Sequence, residues 1–277
     1  MQNPYLPIPM RVKKTFIESE DRMLKTLDLV FINEKDEKDF KFMPGQFCEV
    51  SIFGKGEAPF GIASSPTEKG FLRFTVNKAG VVTEALHYLE EGDELGIRGP
   101  LGNYYPIDIF KDKNILIIGG GFAFTTLRAL TKYLIAKRDD FKDITLVYGA
   151  RTPGMLLYRE EFKEWGKSDN LKVYLTVDRG DENWEGLVGV VPKIVEEKVT
   201  TSEDTYAVVC GPPIMIKFTL ITLDKLKFPP ERIYLSLERR MKCGIGKCGR
   251  CNIGKFYVCK DGPIFSYAQL KELPREY

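Results

Sequence analysis

The chain has 277 residues, 43% of them hydrophobic, which is enough to form the cores of about two ordinary domains. Its formal net charge of only +2 does not indicate a broad basic surface for nucleic acid. No apolar run approaches a membrane span, and prolines interrupt the N-terminal stretch MQNPYLPIPMRVKKTF where a signal peptide needs a continuous apolar region. These features predict a cytoplasmic protein with reduced thiols.

The N-terminal third is predicted to form a small antiparallel β-barrel. Its strand candidates are short runs bounded by Gly or Pro, namely KTLDLVFIN, FCEVSIFG, FLRFTVNKAG and ELGIRGPLG. Between two of them lies EAPFGIASSP, in which Phe60 offers a ring for stacking on a planar ligand and Ser64 and Ser65 offer hydroxyls. A core aromatic without a ligand is the alternative.

A short helix is predicted in the stretch GVVTEALHYLEEGD, after the third of these strands. Gly80 and Thr83 would open it, and the N-terminus of a helix suits a phosphate group. A plain helix cap is the alternative. The only histidine of the chain, His87, lies on this helix, and we expect it at the surface without a catalytic partner.

From about residue 112 apolar strands and helices alternate, which predicts a parallel, doubly wound sheet. The first strand is predicted at Ile115–Ile118, followed by a glycine turn and a helix. Further strands are predicted in DITLVYGAR, LKVYLTVDRG and TYAVVC, and Pro212 and Pro213 suit the first turn of the helix after the last one.

The ligands of such a sheet lie at the carboxyl ends of its strands. Those ends carry Gly119–Gly121, Gly149–Arg151, Asp178–Gly180 and Cys210–Pro213. A glycine turn that leads into a helix N-terminus suits a pyrophosphate. Because GGGFAF is an incomplete G-x-G-x-x-G, a tight turn without a ligand stays open at this point.

Four of the six cysteines stand in the stretch MKCGIGKCGRCNIGKFYVCKDG, spaced C-x4-C-x2-C-x7-C. The first three match the spacing of plant-type [2Fe–2S] ferredoxins. Gly244, Gly246 and Gly249 free the backbone to wrap around a cluster and to point N–H groups at its sulfurs. The predicted cluster ligands are Cys243, Cys248, Cys251 and Cys259. A zinc site is the main alternative, although zinc sites more often use two C-x2-C pairs or histidines.

The same stretch is basic, with Arg239, Arg240, Lys242, Lys247, Arg250, Lys255 and Lys260. These charges either offset the negative charge of a cluster or form a docking surface for an acidic electron-transfer partner.

The order of β-barrel, doubly wound domain and cysteine-rich tail resembles the ferredoxin–NADP reductase superfamily over nearly the whole chain. LERRMKCGIGKCGRC with YVCKDGPIF is most similar to the gamma (diaphorase) subunits of cytoplasmic [NiFe] sulfhydrogenases. The anaerobic sulfite reductase B subunit and the dihydroorotate dehydrogenase electron-transfer subunit are also similar. The resemblance implies three units: an FAD-binding antiparallel β-barrel (1–108), an NAD(P)-binding Rossmann-like domain (109–237) and a [2Fe–2S] cluster module (238–277).

The resemblance also implies the cofactor-binding residues. Those that contact the flavin would be Pro59, Phe60, Gly61, Ile62, Ala63, Ser64 and Asn77, and the FAD pyrophosphate would lie against the loop with Gly80, Val82 and Thr83. The nicotinamide nucleotide would lie against Gly119, Gly120, Gly121, Arg151, Gly211 and Pro212, with Cys210 near the nicotinamide. Asp178 and Arg179 would face the adenosine ribose, where the carboxylate favours NAD and the guanidinium favours NADP, and NAD is preferred.

The sequence departs from the family pattern in two places. Ala58 and Gly61 stand where the Arg-x-Tyr-Ser flavin motif has Arg and Ser, a motif that the dihydroorotate and hydrogenase branches also relax. In GGGFAF, Phe122 and Phe124 are expected to add bulk near the pyrophosphate. The bulk leaves two alternatives, a weakened nucleotide site or a subunit that relays electrons without using NAD(P).

The predicted function is that of an electron-transfer (diaphorase) subunit, which moves electrons between NAD(P)(H), FAD and a [2Fe–2S] cluster. A nicotinamide delivers two electrons as a hydride, an iron–sulfur cluster takes one at a time, and a flavin handles both. Nothing in the chain suits a nickel site, so partner subunits of the hydrogenase or sulfite reductase type are implied. The alternatives are a stand-alone NAD(P)H:ferredoxin reductase and a zinc-stabilised scaffold.

Overall fold

The structure is a computed structural model that describes residues 3–166 and 171–273. The predicted first and third units therefore reach slightly beyond the described residues, at 1–2 and 274–277. Two sheets contain most of the strands, six in the first and seven in the second. In the part of the chain that is described, no helix is both long and apolar enough to cross a bilayer.

The first sheet is formed by the N-terminal third of the chain, and all its strand pairs are antiparallel. Its strands are β1 (Ile8–Ile17), β2 (Leu24–Phe31), β3 (Phe47–Ile52), β4 (Gly56–Gly61), β5 (Leu72–Asn77) and β6 (Glu94–Leu101). They are ordered β4-β3-β6-β1-β2-β5. Its connections contain α1 (Glu34–Asp39) and α2 (Val81–Tyr88), and α3 (Ile107–Phe110) follows it.

This sheet curls until its two edges meet. Just past the end of β4, the Ala63 N–H donates to the Arg73 carbonyl oxygen of β5 at 2.8 Å. The Ser64 Oγ accepts from the Arg73 N–H at 3.0 Å. Every second residue of β5 is buried inside the barrel, namely Leu72, Phe74 and Val76. The reason is that successive side chains of a strand point to opposite faces of the sheet. The result is the predicted barrel, closed through residues 63–64.

The second sheet follows and is mostly parallel. Its parallel strands are β7 (Asn114–Gly120), β8 (Ile144–Ala150), β9 (Leu171–Val177), β10 (Leu187–Val188), β11 (Thr205–Cys210) and β12 (Ile233–Ser236), connected through α4 (Phe124–Ala136), α5 (Arg159–Trp165), α6 (Val191–Lys198) and α7 (Pro213–Lys225). The order β10-β9-β8-β7-β11-β12 reverses direction between β7 and β11. That switch point is where sheets of this kind bind ligands.

The C-terminal segment packs against both sheets. It contains the two-stranded β13 (Asn252–Ile253) and β14 (Phe256–Tyr257), then α8 (Val258–Asp261), β15 (Ile264–Ser266) and α9 (Tyr267–Lys271). β15 pairs antiparallel with β12, with Leu235 opposite Phe265, and so becomes the seventh strand of the second sheet. This architecture confirms the predicted fold class, a β-barrel and a doubly wound parallel sheet with a small C-terminal module.

Candidate cofactor cleft and cysteine cluster

A cleft of about 1200 Å³ lies where the barrel, the carboxyl ends of β7 and β11, and the C-terminal segment meet. Eight of the predicted site residues line it: Pro59, Phe60, Gly61, Asn77, Gly120, Cys210, Gly211 and Pro212. Residues from distant parts of the chain thus share one space. The proposed roles of these residues stay predictions, but their common location is what a shared flavin and nicotinamide site requires.

The barrel wall of the cleft is the end of β4. A Cβ on Gly61 would lie 2.3 Å from the Thr126 Cγ2, so the missing side chain lets the first turn of α4 approach the barrel. Phe60 is only 9% exposed and packs in the barrel core, so it shows little more than an edge to the cleft. Most of the Phe60 ring is therefore buried in the barrel core, as the alternative of a core aromatic residue expects.

Three predicted flavin-contacting residues lie behind this wall. Ile62, Ala63 and Ser64 are at most 1% exposed, and the main chain of Ala63 and the hydroxyl of Ser64 are used in closing the barrel. They support the segment that lines the cleft and do not themselves face it.

The start of α2 is pinned by its own side chain. The Thr83 Oγ1 accepts from the Ala79 and Gly80 N–H groups, each at 2.8 Å, as the predicted helix cap requires. Gly80, Val82 and Thr83 lie outside the cleft lining. On the same helix the His87 Nε2 lies 3.0 Å from the Val76 carbonyl oxygen, and burial lowers the pKa of this half-buried ring. A lowered pKa keeps the imidazole neutral near pH 7.

The nucleotide wall is formed by two glycine turns in contact with one methionine. A Cβ on Gly120 would lie 2.2 Å from the Met215 Sδ, and one on Gly211 would lie 2.3 Å from its Cε. A side chain at either position would require the Met215 side chain to move. The first turn of α4 adds Thr125 and Thr126 to the lining, which sequence reasoning missed. The pair of hydroxyls directly after GGGFAF was the available signal.

The two phenylalanines of that turn point in different directions. Phe122 lines the cleft and is partly buried. Phe124 is fully buried and stacks on Tyr148, with ring centroids 4.2 Å apart. The expectation that both add bulk beside a pyrophosphate is therefore wrong for Phe124, because the helical turn directs its ring into the core.

A buried thiol lines the cleft. The Cys210 Sγ lies 3.7 Å from the Thr126 Oγ1 and 3.7 Å from the Ser236 carbonyl oxygen. Burial raises the pKa of Cys210 to about 11, so the thiol is neutral at physiological pH. Glu238 lines the same cleft, and desolvation raises the pKa of its carboxyl although part of the side chain reaches solvent. Sequence reasoning did not single out Glu238.

The other predicted nucleotide residues do not line the cleft. Gly119 is buried in β7, and Gly121 adopts a positive φ of 55° in the turn before α4. The Arg179 N–H donates to the Arg151 carbonyl oxygen at 3.0 Å, so these exposed residues adjoin at the carboxyl ends of β8 and β9, with Asp178 beside them. A nucleotide would have to extend along the sheet edge to reach them.

The four clustered cysteines lie in two pairs. The Cys248 N–H donates to the Cys243 Sγ at 3.4 Å, and the Cys259 N–H donates to the Cys251 Sγ at 3.5 Å. Further donors are the Lys247 N–H to Cys243 at 3.2 Å and the Gly246 N–H to Cys259 at 3.1 Å. The predicted function of the glycine-rich loop, to direct N–H groups at sulfur, is thus visible in its hydrogen bonds.

The four cysteines match the ligand number of a binuclear cluster, which takes two thiolates on each iron. Within residues 3–166 and 171–273, no three or more His, Cys, Asp or Glu side chains converge on one point suited to a single metal ion. Despite partial burial, the N–H groups of Ile245, Cys248 and Lys247 lower the pKa of Cys243 to about 6, which favours the ligating thiolate.

The cluster loop rests on the barrel through charged residues. The Arg98 guanidinium donates to the Cys243 carbonyl oxygen at 3.2 Å and pairs with Glu57. Glu49 is fully buried beside Gly244, and neither of its carboxylate oxygens has a hydrogen-bond partner. Desolvation, with the nearby Glu57, raises its pKa to about 7. The barrel thus presents an arginine and an unpartnered carboxyl to the loop.

Family descriptions match three successive parts of the chain. "Oxidoreductase FAD-binding domain" matches residues 9–105, and "Oxidoreductase NAD-binding domain" matches residues 117–220. "Iron-sulfur cluster binding domain of dihydroorotate dehydrogenase B" matches residues 238–271, which include all four clustered cysteines.

Whole-chain relatives are subunits of enzyme complexes. The gamma subunit of sulfhydrogenase 1 from Pyrococcus furiosus is 38% identical over 281 residues, covering 98% of this chain and 94% of that subunit. A probable dihydroorotate dehydrogenase B electron transfer subunit from Thermococcus kodakarensis is 33% identical, covering 88% of this chain and 96% of the relative. The solved NADH-dependent reduced ferredoxin-NADP oxidoreductase, studied for flavin-based electron bifurcation, superimposes with a TM-score of 0.76 at 28% identity, covering 99% of this chain and 91% of that one.

Proposed function

This chain belongs to the ferredoxin–NADP reductase superfamily, in the group of sulfhydrogenase gamma and dihydroorotate dehydrogenase B electron-transfer subunits, and we propose that it is the electron-transfer subunit of a larger oxidoreductase. In this role it moves electrons between NAD(P)(H), FAD and a [2Fe–2S] cluster, to or from a partner subunit. The division into 1–108, 109–237 and 238–277 and the binding roles of the site residues are part of the proposal.

The observation that carries the proposal is that residues on both sides of the cysteine loop line the cleft. Met241, two residues before Cys243, and Pro263, four residues after Cys259, both line the cleft. The ligand loop therefore leaves the cleft wall and returns to it. Two of the predicted ligands, Cys243 and Cys259, are thus within four residues of the cleft wall, which favours electron exchange between the cleft and a cluster held by this loop.

The residues fit the three cofactors that the family descriptions name, and the predicted cofactor set is confirmed. FAD, when bound, accepts a hydride from a nicotinamide and exchanges single electrons with an iron–sulfur cluster. Gly61, Gly120 and Gly211 let Thr126 and Met215 pack closely against the strand ends, and the cleft of about 1200 Å³ that these elements enclose has room for a flavin and a nicotinamide. The zinc scaffold finds no support, since residues 238–271 match an iron–sulfur domain.

Uncharged and apolar side chains form part of the cleft lining. The neutral Cys210 thiol and the hydroxyl of Thr126 present no charge to it. Aliphatic side chains of α7 and α9, such as Ile216, Leu220 and Leu270, form another part and limit the access of water. Hydride transfer between a nicotinamide and a flavin needs no protein acid or base.

The relatives belong to a few kinds of enzyme complex, and they do not identify the partner subunit of this chain. We propose a [NiFe] hydrogenase-type complex, because a sulfhydrogenase gamma subunit is 38% identical over nearly the whole chain, and a sulfite-reductase-type complex is the alternative. A cytoplasmic location is part of the proposal, and six free cysteines fit a compartment that keeps thiols reduced.

A stand-alone ferredoxin reductase is the second candidate, and the charge around the cluster loop favours it. Segment 239–266 carries seven basic side chains and one acidic one, a net charge of +6, so the rest of the chain carries −4. Exposed members of the segment that make no ion pair with a described carboxylate include Lys247, Arg250, Lys255 and Lys260. We name these four the basic collar. Such a collar steers an acidic protein toward the exposed Cys248.

The decisive experiment adds NADH, and separately NADPH, to the purified chain under anaerobic conditions. Loss of the flavin absorption at about 450 nm within seconds is the expected result. A flavin and cluster that stay oxidised with both nucleotides would contradict nicotinamide use. A reduced chain that also reduces an acidic [2Fe–2S] ferredoxin, at a rate that falls steeply with salt, would favour the stand-alone reductase.

A further inference from the structure

The helix α4 carries an arginine that is 2% exposed and reaches across to the barrel. The Arg128 Nη1 donates to the Ala63 carbonyl oxygen at 2.7 Å and to the Glu68 Oε2 at 2.9 Å. Its Nη2 donates to the Glu68 Oε1 at 3.0 Å, and its Nε donates to the Glu161 Oε1 at 2.9 Å. One guanidinium thus donates three hydrogen bonds to Ala63 and Glu68 of the barrel domain and one to Glu161 of α5.

A second arginine completes the network from the barrel side. Arg73 in β5 makes a bidentate pair with Asp28 at 2.7 and 2.8 Å, and its Nη1 donates to the Glu161 Oε1 at 3.1 Å. Glu161 therefore accepts from both arginines. The side chain of Arg73 bonds only these two carboxylates, whereas Arg128 also bonds a main-chain carbonyl of the segment Pro59–Ser64.

Both main-chain polar groups of Ala63 are hydrogen-bonded. Its N–H closes the barrel by donating to Arg73, and its carbonyl oxygen accepts from Arg128. This segment leads directly from Phe60 and Gly61 in the cleft wall. The segment has no cationic side chain of its own, because Ala58 and Gly61 stand where the family motif has Arg and Ser. The cationic side chain that bonds the main chain of this segment is Arg128, from α4 of the second sheet's domain.

A network of this kind does more for geometry than for stability. Removing two arginines and three carboxylates from water costs much of the free energy that their pairing returns, so apolar packing would stabilise the interface as well. A planar guanidinium with several bonds instead sets one relative position of the groups that it joins. The first turn of α4 lines the cleft at Thr125 and Thr126, one helical turn before Arg128.

We propose that Arg128 is a positioning residue for the flavin: it holds the segment Pro59–Ser64 in its binding conformation from the nucleotide domain, so that flavin affinity depends on the docking of the two domains. This inference rests on the proposed function, in which that segment contacts FAD.

The test compares Arg128→Lys and Arg128→Ala with the matched control Arg73→Ala in the full chain. Each apoprotein is titrated with FAD, and the dissociation constant, the visible circular dichroism of the bound flavin and the thermal midpoint are measured. We expect FAD binding to weaken about 10-fold in Arg128→Lys and about 100-fold in Arg128→Ala, since each lost charged hydrogen bond costs about a factor of 10. Arg73→Ala should lower the thermal midpoint yet keep FAD affinity within about threefold.

Each result has one interpretation. Arg128 variants with wild-type FAD affinity and flavin dichroism would overturn the inference, and so would an Arg73→Ala variant that loses FAD affinity as strongly. If Arg128→Ala does not fold, the FAD affinity of Arg128→Lys tests the inference. The lysine keeps the positive charge but lacks the planar guanidinium with its several hydrogen-bond donors. A wild-type chain that takes up no FAD would instead contradict the proposed function itself.

Discussion

Asn103 and Ile264 hydrogen-bond each other twice. The Asn103 Oδ1 accepts from the Ile264 N–H at 2.9 Å, and its Nδ2 donates to the Ile264 carbonyl oxygen at 2.8 Å. The same Nδ2 donates to the Asp261 carbonyl oxygen, and the Asn103 N–H donates to Gly262. Asn103, two residues after the last barrel strand, thus fixes the chain that follows Cys259. The position of the cysteine loop relative to the barrel depends on this contact.

The neighbouring Gly102 tests that contact. It has a φ of +73°, and a Cβ there would lie 2.7 Å from the Gly262 carbonyl oxygen. Gly92, with a φ of +95° and no atom within 4 Å of its would-be Cβ, is the matched control. We expect Gly92→Ala to cost about 1 kcal/mol of unfolding free energy from backbone strain alone, and Gly102→Ala about 3 kcal/mol. Equal shifts of the thermal midpoint in the two variants would contradict the close contact.

The cysteine assignment predicts a selective loss of iron. Cys248→Ser should drop the iron content from about two atoms per chain to almost none, because thiolate is the ligand that such clusters use. FAD content should stay unchanged, since Cys248 does not line the cleft. Cys48→Ser, in the barrel core, should keep its iron. Iron and flavin assays check both variants, and FAD loss with Cys248→Ser would show that the two sites are not separate.

The two phenylalanines of the glycine turn should respond in opposite ways. Phe122→Ala removes a ring from the cleft and should change the KM for NADH several-fold while the thermal midpoint hardly moves. Phe124→Leu leaves a gap beside Tyr148 and should cost about 1–3 kcal/mol of unfolding free energy, with little effect on KM. Steady-state kinetics and thermal melts separate the two effects. A KM change from Phe124 alone would mean that its ring faces the nucleotide.

The raised pKa of Cys210 predicts its reactivity. Desolvation raises the pKa to about 11, so the reactive thiolate is scarce at pH 8 and becomes abundant only as the pH approaches 11. Treatment of the holoprotein with iodoacetamide at pH 8 should leave Cys210 unmodified, as peptide mass mapping will show. Rapid alkylation at pH 8 would mean that the thiol is not held in a desolvated site.

Periodic and strand-end patterns made much of this fold predictable. The alternation of Leu72, Phe74 and Val76 and the apolar run Ile115–Ile118 identify their strands without any long-range information. β4, with the sequence GEAPFG, has no such pattern, and it is a strand because it pairs with β3 from Phe47 to Ile52. Gly120 and Cys210 were expected at the cleft because adjacent parallel strands end at one edge.

The remaining parts of the site depend on contacts that no local pattern encodes. Glu238 and Met241 reach the cleft because β15 brings the C-terminal segment against β12. Arg128 resembles any helix arginine in sequence, and its partner Ala63 lies 65 positions away. A buried ion network of this kind is visible only when the two domains are packed together.

Because β15 pairs with β12, the C-terminal module is part of the second sheet and cannot be removed without exposing an edge of that sheet. Truncating the chain before it would uncover the backbone N–H and C=O groups of β12 along Tyr234–Ser236, an unprotected sheet border of the sort that recruits other chains. If the cysteine loop were transferred to another reductase, that protein would need a free sheet edge with which β15 could pair. Such a module can be inherited or exchanged only together with the sheet that receives it.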